Sequence, residues 1–345
     1  MTTYKNNTLL DTLAGRRPAH TPVWLMRQAG RYLPEYRELR EKAGSFLTLA
    51  KTPDLAAEVT LQPVERFGMD AAIIFSDILT IPDALGMELT FETGRGPLFR
   101  RPEVFKHDRL LLRPIEVREE LRYVADAIRL VANDSFPVIG FSGSPFTLAS
   151  YMVDGGAAKG FMQTRSLLYS RPKLLHDLLE LLTRLVTDYL IMQVEAGAAV
   201  LQIFDSWGGL LSTPAFETFD LAYIRRIISA LRDHPSTAET PIIAFTRNAT
   251  IDWYRRLHEA GATAVSIDWR HSLREVAREV PGAVLQGNLD PAALLGSPDE
   301  LKRAAEEVLG SVPDGRPHIF NLGHGIDKST DPEHVRLLID LVHQH

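Results

Sequence analysis

Residues 198–206 read AAVLQIFDS, a short apolar run that ends abruptly in an acid and a hydroxyl. A run apolar on both faces is what a parallel strand buried on both sides requires. Working outward in both directions, the same pattern recurs along the chain. PVWLM (22–26), AAIIF (71–75) and PVIGF (137–141) precede it, and PIIAF (241–245), AVSID (264–268), AVLQGN (283–288) and HIFNLG (318–323) follow, making eight runs. Segments of helical spacing lie between them, most clearly 173–195, where leucines recur three and four apart among charges. Thr52-Pro53-Asp54, Ser170-Arg171-Pro172 and Ser297-Pro298 read as helix starts. About eight alternations of strand and helix predict an α/β fold, a single-domain (β/α)8 (TIM) barrel over residues 1–345. The rival, a doubly wound open sheet, lacks its usual Gly-rich dinucleotide fingerprint after the first run. The irregular stretch 82–118, with GRGP at 94–97, reads as an elaborated loop or hairpin over the barrel mouth.

Composition narrows the function classes. A hydrophobic content of 45% in 345 residues is ample for a large core. No apolar run approaches the roughly 18 residues that span a bilayer, and the N-terminus lacks a signal-peptide layout, so the expectation is a cytoplasmic protein without membrane contact. The chain has no cysteine, which excludes disulfides, thiolate nucleophiles and cysteine-ligated metals. A formal net charge of −6 with dispersed Lys and Arg argues against a nucleic-acid partner. The N-x-S/T triplets at Asn6, Asn133 and Asn248 are read as chance matches.

Barrel enzymes carry catalytic groups at the C-terminal ends of strands and in the loops that follow. The first run leads into Arg27, Gln28, Ala29, Gly30 and Arg31, with two guanidiniums suited to bidentate capture of carboxylates. Surface ion pairs of these arginines with Glu35 or Glu38 are the plain alternative. The second run leads to Ser76 and Asp77, a carboxylate flanked by apolar residues that needs donors or a shifted pKa, unless it merely caps a helix. Later runs lead to Ser142, Ser144 and Tyr151, to Asp205 and Ser206, to Thr246 and Arg247, to Asp268, to Gln286, Asn288 and Asp290, and to His324 between two glycines. Tyr151 could equally be a core aromatic, Ser206 a helix cap, and His324 a structural hydrogen-bonder. GFSGS at 140–144 misses the nucleophile elbow at its fifth residue, and HExxH, EF-hand and P-loop patterns are absent. Two Arg, one Asp, one Tyr and one His suit a cofactor-free reaction on a carboxylated small molecule.

At these residues the chain strongly resembles the uroporphyrinogen decarboxylase family, from about Pro22 to the C-terminal tail. The matching pieces are PVWLMRQAGRYLPEYRELR, TPDLAAEVTLQPVERFGMDAAIIFSDIL, GSPFTLASYMV, FDSWGG, LQGNLDP and FNLGHGI. The resemblance implies a homodimeric (β/α)8 barrel, acting in porphyrin and heme biosynthesis without metal or organic cofactor. Its substrate, uroporphyrinogen III, carries four acetates and four propionates that are ionised near neutrality. The resemblance implies that Arg27 and Arg31 bind carboxylates, with Gln28, Ala29 and Gly30 supplying backbone contacts. It implies that Asp77 accepts the pyrrole N–H groups and stabilises a protonated ring. Tyr151, Ser206 and His324 resemble further substrate-contacting positions, Tyr151 near the reacting acetate, and Arg27 is one candidate proton donor. Thr246-Arg247-Asn248 and Asp327-Lys328-Ser329-Thr330 depart from the common pattern of the family, both in loops. Two rivals stand beside this reading: a zinc-dependent methyltransferase of the same barrel superfamily, and a non-catalytic tetrapyrrole-binding protein.

Overall fold

Seven of the eight runs form strands in one all-parallel sheet of the computed structural model, which describes residues 4–92, 96–107, 109–133 and 135–345. In chain order the strands are β1 (Ala72–Ile73), β2 (Leu89–Glu92), β3 (Gly96–Phe99), β4 (Phe105–Lys106), β5 (Arg109–Leu110), β6 (Val138–Gly143), β7 (Val200–Asp205), β8 (Ile242–Thr246), β9 (Ala264–Ser266), β10 (Val284–Gln286) and β11 (His318–Ile319). The sheet order is β1-β6-β7-β8-β9-β10-β11, each strand beside the next. Every residue of β6, β7 and β8 is buried, as runs without alternation require.

The first run, 22–26, is the eighth stave, but it is not a laddered strand. It touches β11 through one parallel bridge, Val23 to Phe320, with Phe320 N–H donating to Pro22 O at 2.8 Å. On its other side Asp70 N–H donates to Val23 O at 2.9 Å, which closes the barrel toward β1. Side chains take the amides a neighbouring strand would otherwise pair. Val23 N–H donates to Asp70 Oδ2 (2.7 Å), Leu25 N–H to Gln28 Oε1 (3.1 Å) and Met26 N–H to Asn321 Oδ1 (2.9 Å). Backbone donors are thus satisfied without a ladder.

Inside the barrel, Trp24 Nε1 donates to Gln286 Oε1 (2.9 Å), and Gln286 Nε2 donates to Ser266 Oγ (3.0 Å). Outside it, the helix Pro172–Glu195 buries its leucine face and clamps β6, Gln193 accepting from Phe141 N–H (2.8 Å) and donating to Phe141 O (3.0 Å). Ser297 caps its helix through Glu300 N–H, as the sequence suggests. Thr52 does not: its hydroxyl donates back to Thr48 O (2.8 Å) in the preceding helix, although a helix does begin at Pro53. Ser170 likewise ends one helix and Arg171 occupies the cap position of the next.

The stretch after β1 holds two antiparallel pairs, β2–β3 and β4–β5. The first docks on the end of the helix Pro145–Asp154 through the bridge Leu98–Gly156. Of the GRGP motif, Gly94 and Arg95 lie outside the described residues, while Gly96 begins β3.

Candidate active site

The loop after the first stave turns sharply. Arg27 adopts φ 64°, a left-handed backbone that a long side chain rarely takes. Its stem lies flat against Gly325, where any Cβ would overlap Arg27 Cδ. Gly323 has the same reason to be glycine, since a Cβ there would meet the Trp269 backbone. The two glycines around His324 therefore make room for the chain itself. The Arg27 guanidinium has no ion pair with Glu35, Glu38 or any other described residue, and Glu35 is taken by Arg66 at 3.0 Å.

Asp77 follows β1 and keeps partial solvent access. Its Oδ1 accepts Leu79 N–H at 2.8 Å, so the side chain does cap the short turn behind it. Burial pushes its pKa above the usual carboxylate value. The Leu79 amide and the Arg27 charge oppose that rise, and Asp83 adds to it. A single amide and one nearby cation leave this carboxylate under-compensated, ready to gain from any cation placed beside it.

Tyr151 sits on the helix Pro145–Asp154, its ring edge-on to Phe161 (5.4 Å) and Trp207 (5.9 Å). Burial raises its phenol, and the charges of Asp77, Arg27 and Arg247 all act on it. His324 stands edge-on to Phe245 (6.2 Å). Burial, Arg27 and Arg247 together push its pKa down to about 3 against the pull of Asp268, so it is neutral at physiological pH. Asp77, Arg27, Tyr151 and His324 thus share one electrostatic neighbourhood at the C-terminal ends of the staves, with Arg247 as a fifth member.

Arg247 immediately follows β8 and lies over the Trp207 ring at 6.0 Å. Its Nε is buried without a partner, and it makes no ion pair with a described residue. Its position directly after an apolar run was the sequence signal for it. Asn248 beside it takes φ 60° and donates its N–H to Asp268 Oδ2 at 2.8 Å, which fixes the turn.

Ser206 lies in a loop built on Asp205. Asp205 Oδ1 accepts from Ser144 Oγ (3.1 Å), Thr147 Oγ1 (2.8 Å) and Gly208 N–H (2.8 Å). Thr147 Oγ1 in turn accepts Ser206 N–H at 2.9 Å. Other strand-end residues serve the scaffold. Gln286 belongs to the barrel interior, Asn288 donates to Asp268 O and His271 O, and Asp290 caps Ala292 N–H. Ser142 is buried, with its hydroxyl on Gly143 O, which does not suit a nucleophile.

The first loop divides by role. Gln28 is fully buried: its amide donates to Ala71 O (3.0 Å), its N–H to Leu25 O (2.8 Å), and its own O accepts Tyr32 Oη–H (2.8 Å). Its polar groups are committed to closing the barrel. Ala29 and Gly30 are half-buried, and Arg31 is exposed, its charge acting on Asp327 and Tyr36 rather than on Asp77.

Comparison with known proteins now decides the family. The sequence profile described as uroporphyrinogen decarboxylase (URO-D) matches residues 4–345. A uroporphyrinogen decarboxylase of Neisseria meningitidis is 47% identical, over 100% of this chain and 98% of its own. One of Chromohalobacter salexigens is 47% identical, over 99% and 97%. The chain belongs to the uroporphyrinogen decarboxylase family. A methyltransferase from Methanosarcina mazei superposes with a TM-score of 0.82 over 99% of both chains at 21% identity, which speaks to the barrel fold alone.

As a uroporphyrinogen decarboxylase family member, the chain is a decarboxylase, and the methyltransferase alternative loses ground to relatives at more than twice the identity. The two atypical loops have local explanations. The Arg247 turn is held by Asp268, and Asp327 closes its own turn by accepting Ser329 N–H at 2.8 Å. One cluster of metal-ligand type occurs among the described residues: His20, Asp70 and His343. Separations of 50 and 273 residues hid it in the sequence. It lies at the opposite end of the barrel, since His20 and Asp70 precede their staves. His20 Nε2 and His343 Nε2 bond Asp70 Oδ1 and Oδ2 at 2.9 and 3.0 Å, with Asn6 Nδ2 and Val23 N–H as further donors. These atoms satisfy one another as a staple across the barrel floor.

Proposed function

We propose that residues 1–345 act as one barrel domain that removes CO2 from the four acetates of uroporphyrinogen III, giving coproporphyrinogen III, with the reaction centred on Asp77. The observation that carries this is an under-compensated Asp77 beside Arg27, with Arg247 acting on the same Tyr151 and His324, and with neither guanidinium neutralised by a described acid. The arginines suit carboxylates, and Asp77 suits the N–H groups and the positive charge of a ring.

In the reaction so read, a proton adds to a pyrrole carbon and the ring becomes cationic. The bond from the acetate methylene to its carboxylate then breaks, CO2 leaves, and the electron pair neutralises the ring nitrogen. A second proton is taken up at the resulting exocyclic methylene, which becomes a methyl, as the ring carbon gives up the first. Each turn thus exchanges CO2 for one proton. Asp77 stabilises the cation more than the neutral substrate, which is the differential binding that lowers a barrier. Arg31, exposed at the rim, holds a peripheral carboxylate, and Ala29 and Gly30 supply amides. Gln28 contributes by shaping that loop. His324 is uncharged and can accept or donate a hydrogen bond without repelling Arg27. Tyr151 brings a protonated phenol toward the reacting acetate, and Ser206 offers a hydroxyl from the opposite loop.

We also infer a homodimer without an added cofactor, working in the cytoplasm, on the strength of the family. No described helix is long and apolar enough to cross a membrane. The test is anaerobic incubation of chelator-dialysed protein with uroporphyrinogen III, with porphyrins oxidised and separated afterwards. Coproporphyrin is the expected product. Binding without product would favour the non-catalytic reading, activity restored only by Zn²⁺ or Mg²⁺ would overturn the cofactor-free chemistry, and a monomer by light scattering would remove the dimer alone.

A further inference from the structure

Behind the Ser206 loop lie two carboxyl groups that the reaction does not use. Asp205 and Asp220 are both fully buried. Asp205 Oδ1 is crowded with donors, yet Asp205 Oδ2 and both oxygens of Asp220 have no hydrogen-bond partner among the described residues. The unpartnered oxygens face the same point, because a Cβ added at Gly208 would collide with Asp205 Oδ2 and Asp220 Oδ2 together. Two ionised carboxylates cannot stay so close in a dry interior, whereas one proton between them satisfies both.

We propose that Asp220 holds a proton and donates it to Asp205 Oδ2, making Asp220 a positioning residue for the loop that carries Ser206 and Trp207. Asp205 is the receiving carboxylate because Ser144, Thr147 and Gly208 already donate to its other oxygen, whereas neither oxygen of Asp220 has a described donor. Asp220 has the opposite surroundings: burial first, then the charge of Asp205 facing it, raise it well above the ordinary carboxylate range. Among the described residues, Asp205 is the ionisable group whose charge acts on it. The helix Pro145–Asp154, packed against the Asp220 segment, turns the uncharged Thr147 hydroxyl, with Ser144 at its cap, toward Asp205. The pair therefore anchors, through Thr147 Oγ1 and Gly208 N–H, the backbone that presents Ser206 and seats Trp207 against Tyr151.

The sign of the linkage follows. The folded protein keeps this proton at pH values where the unfolded chain has released it, so the pair lowers stability progressively as pH rises above the unfolded Asp value. Asp220→Asn replaces the shared proton by a permanent N–H donor of the same shape. It is expected to remove a protonated-carboxyl C=O band from the infrared spectrum at neutral pH. It should also raise Tm relative to wild type increasingly from pH 5 to pH 8. Asp220→Ala leaves Asp205 Oδ2 bare and should lower kcat/KM by roughly tenfold, with Asn restoring it. The activity arm rests on the reading of the barrel mouth as the site; the infrared and Tm arms do not. No change in the carboxyl band, a Tm difference that does not depend on pH, or an Asn variant that fails to fold would overturn the shared proton. Full activity in the Ala variant would overturn the positioning role.

Discussion

Asp77→Asn is the most informative single substitution. Asparagine keeps an oxygen for Leu79 N–H, so the bond that orders the turn survives. In the proposed site, what is lost is one negative charge facing the reacting ring. At a separation of about 4 Å and an effective dielectric of about 20, that charge is worth about 4 kcal/mol to a cationic ring. Loss of a single preorganised group in other enzymes costs about 3–4 kcal/mol. The loss is not offset nearby, because Arg27 and Arg247 remain and now repel the cation unopposed. We expect kcat to fall roughly 10²–10³-fold, with Tm changed by no more than a few degrees. The assay is anaerobic coproporphyrinogen formation at saturating substrate, with thermal unfolding run in parallel. A variant within threefold of wild type would refute the electrostatic role. The pH profile adds a sign test. Burial holds Asp77 above the ordinary value of 3.8, so the acid limb of kcat/KM attributable to it lies above that pH, and rate is lost as pH falls through it.

Three further outcomes are expected. Lys lacks the planar two-donor fork, so Arg31→Lys should mainly raise KM, while Arg27→Lys should also lower kcat; unchanged kinetics in both would return them to the surface. Arg247→Ala should raise KM about tenfold by removing a cation from the mouth, and an unchanged KM would confine Arg247 to stacking on Trp207. At the barrel floor, burial pushes Asp70 up, but bonds from His343, Asn6, Val23 N–H and His20 outweigh it and hold the pKa below its usual value. That staple contributes stability above the unfolded Asp pKa, lost as pH falls through the folded one, so Asp70→Asn should cost about 1–3 kcal/mol at pH 7 and much less in strong acid, by denaturant unfolding.

The barrel was legible because its staves are buried on both faces, and continuous apolar runs such as those ending at Phe141, Phe204 and Phe245 admit few other readings. The first stave was legible as a run but not in its manner of pairing. Its amides go to Asp70, Gln28 and Asn321, partners as many as 295 residues away that no local pattern announces. Asp77, Tyr151 and His324 were singled out because strand ends are where side chains meet a cavity, and the fold brings them into one electrostatic neighbourhood with Arg27. The family resemblance implied a backbone contact to substrate at Gln28, whereas burial and four hydrogen bonds commit it to the scaffold. Asp220 was invisible in the sequence: it is one acid in an amphipathic helical stretch, and only the fold brings it to Asp205.

The central claim is that the tetrapyrrole sits in the barrel mouth with its ring nitrogens on Asp77 and its carboxylates on the arginines. A crystal structure of the anaerobic complex with coproporphyrinogen III tests this directly. The account predicts pyrrole N–H groups within hydrogen-bond distance of the Asp77 carboxylate and propionates on at least two of Arg27, Arg31 and Arg247. A macrocycle bound elsewhere, or bound in the mouth with Asp77 facing away from it, would contradict the account.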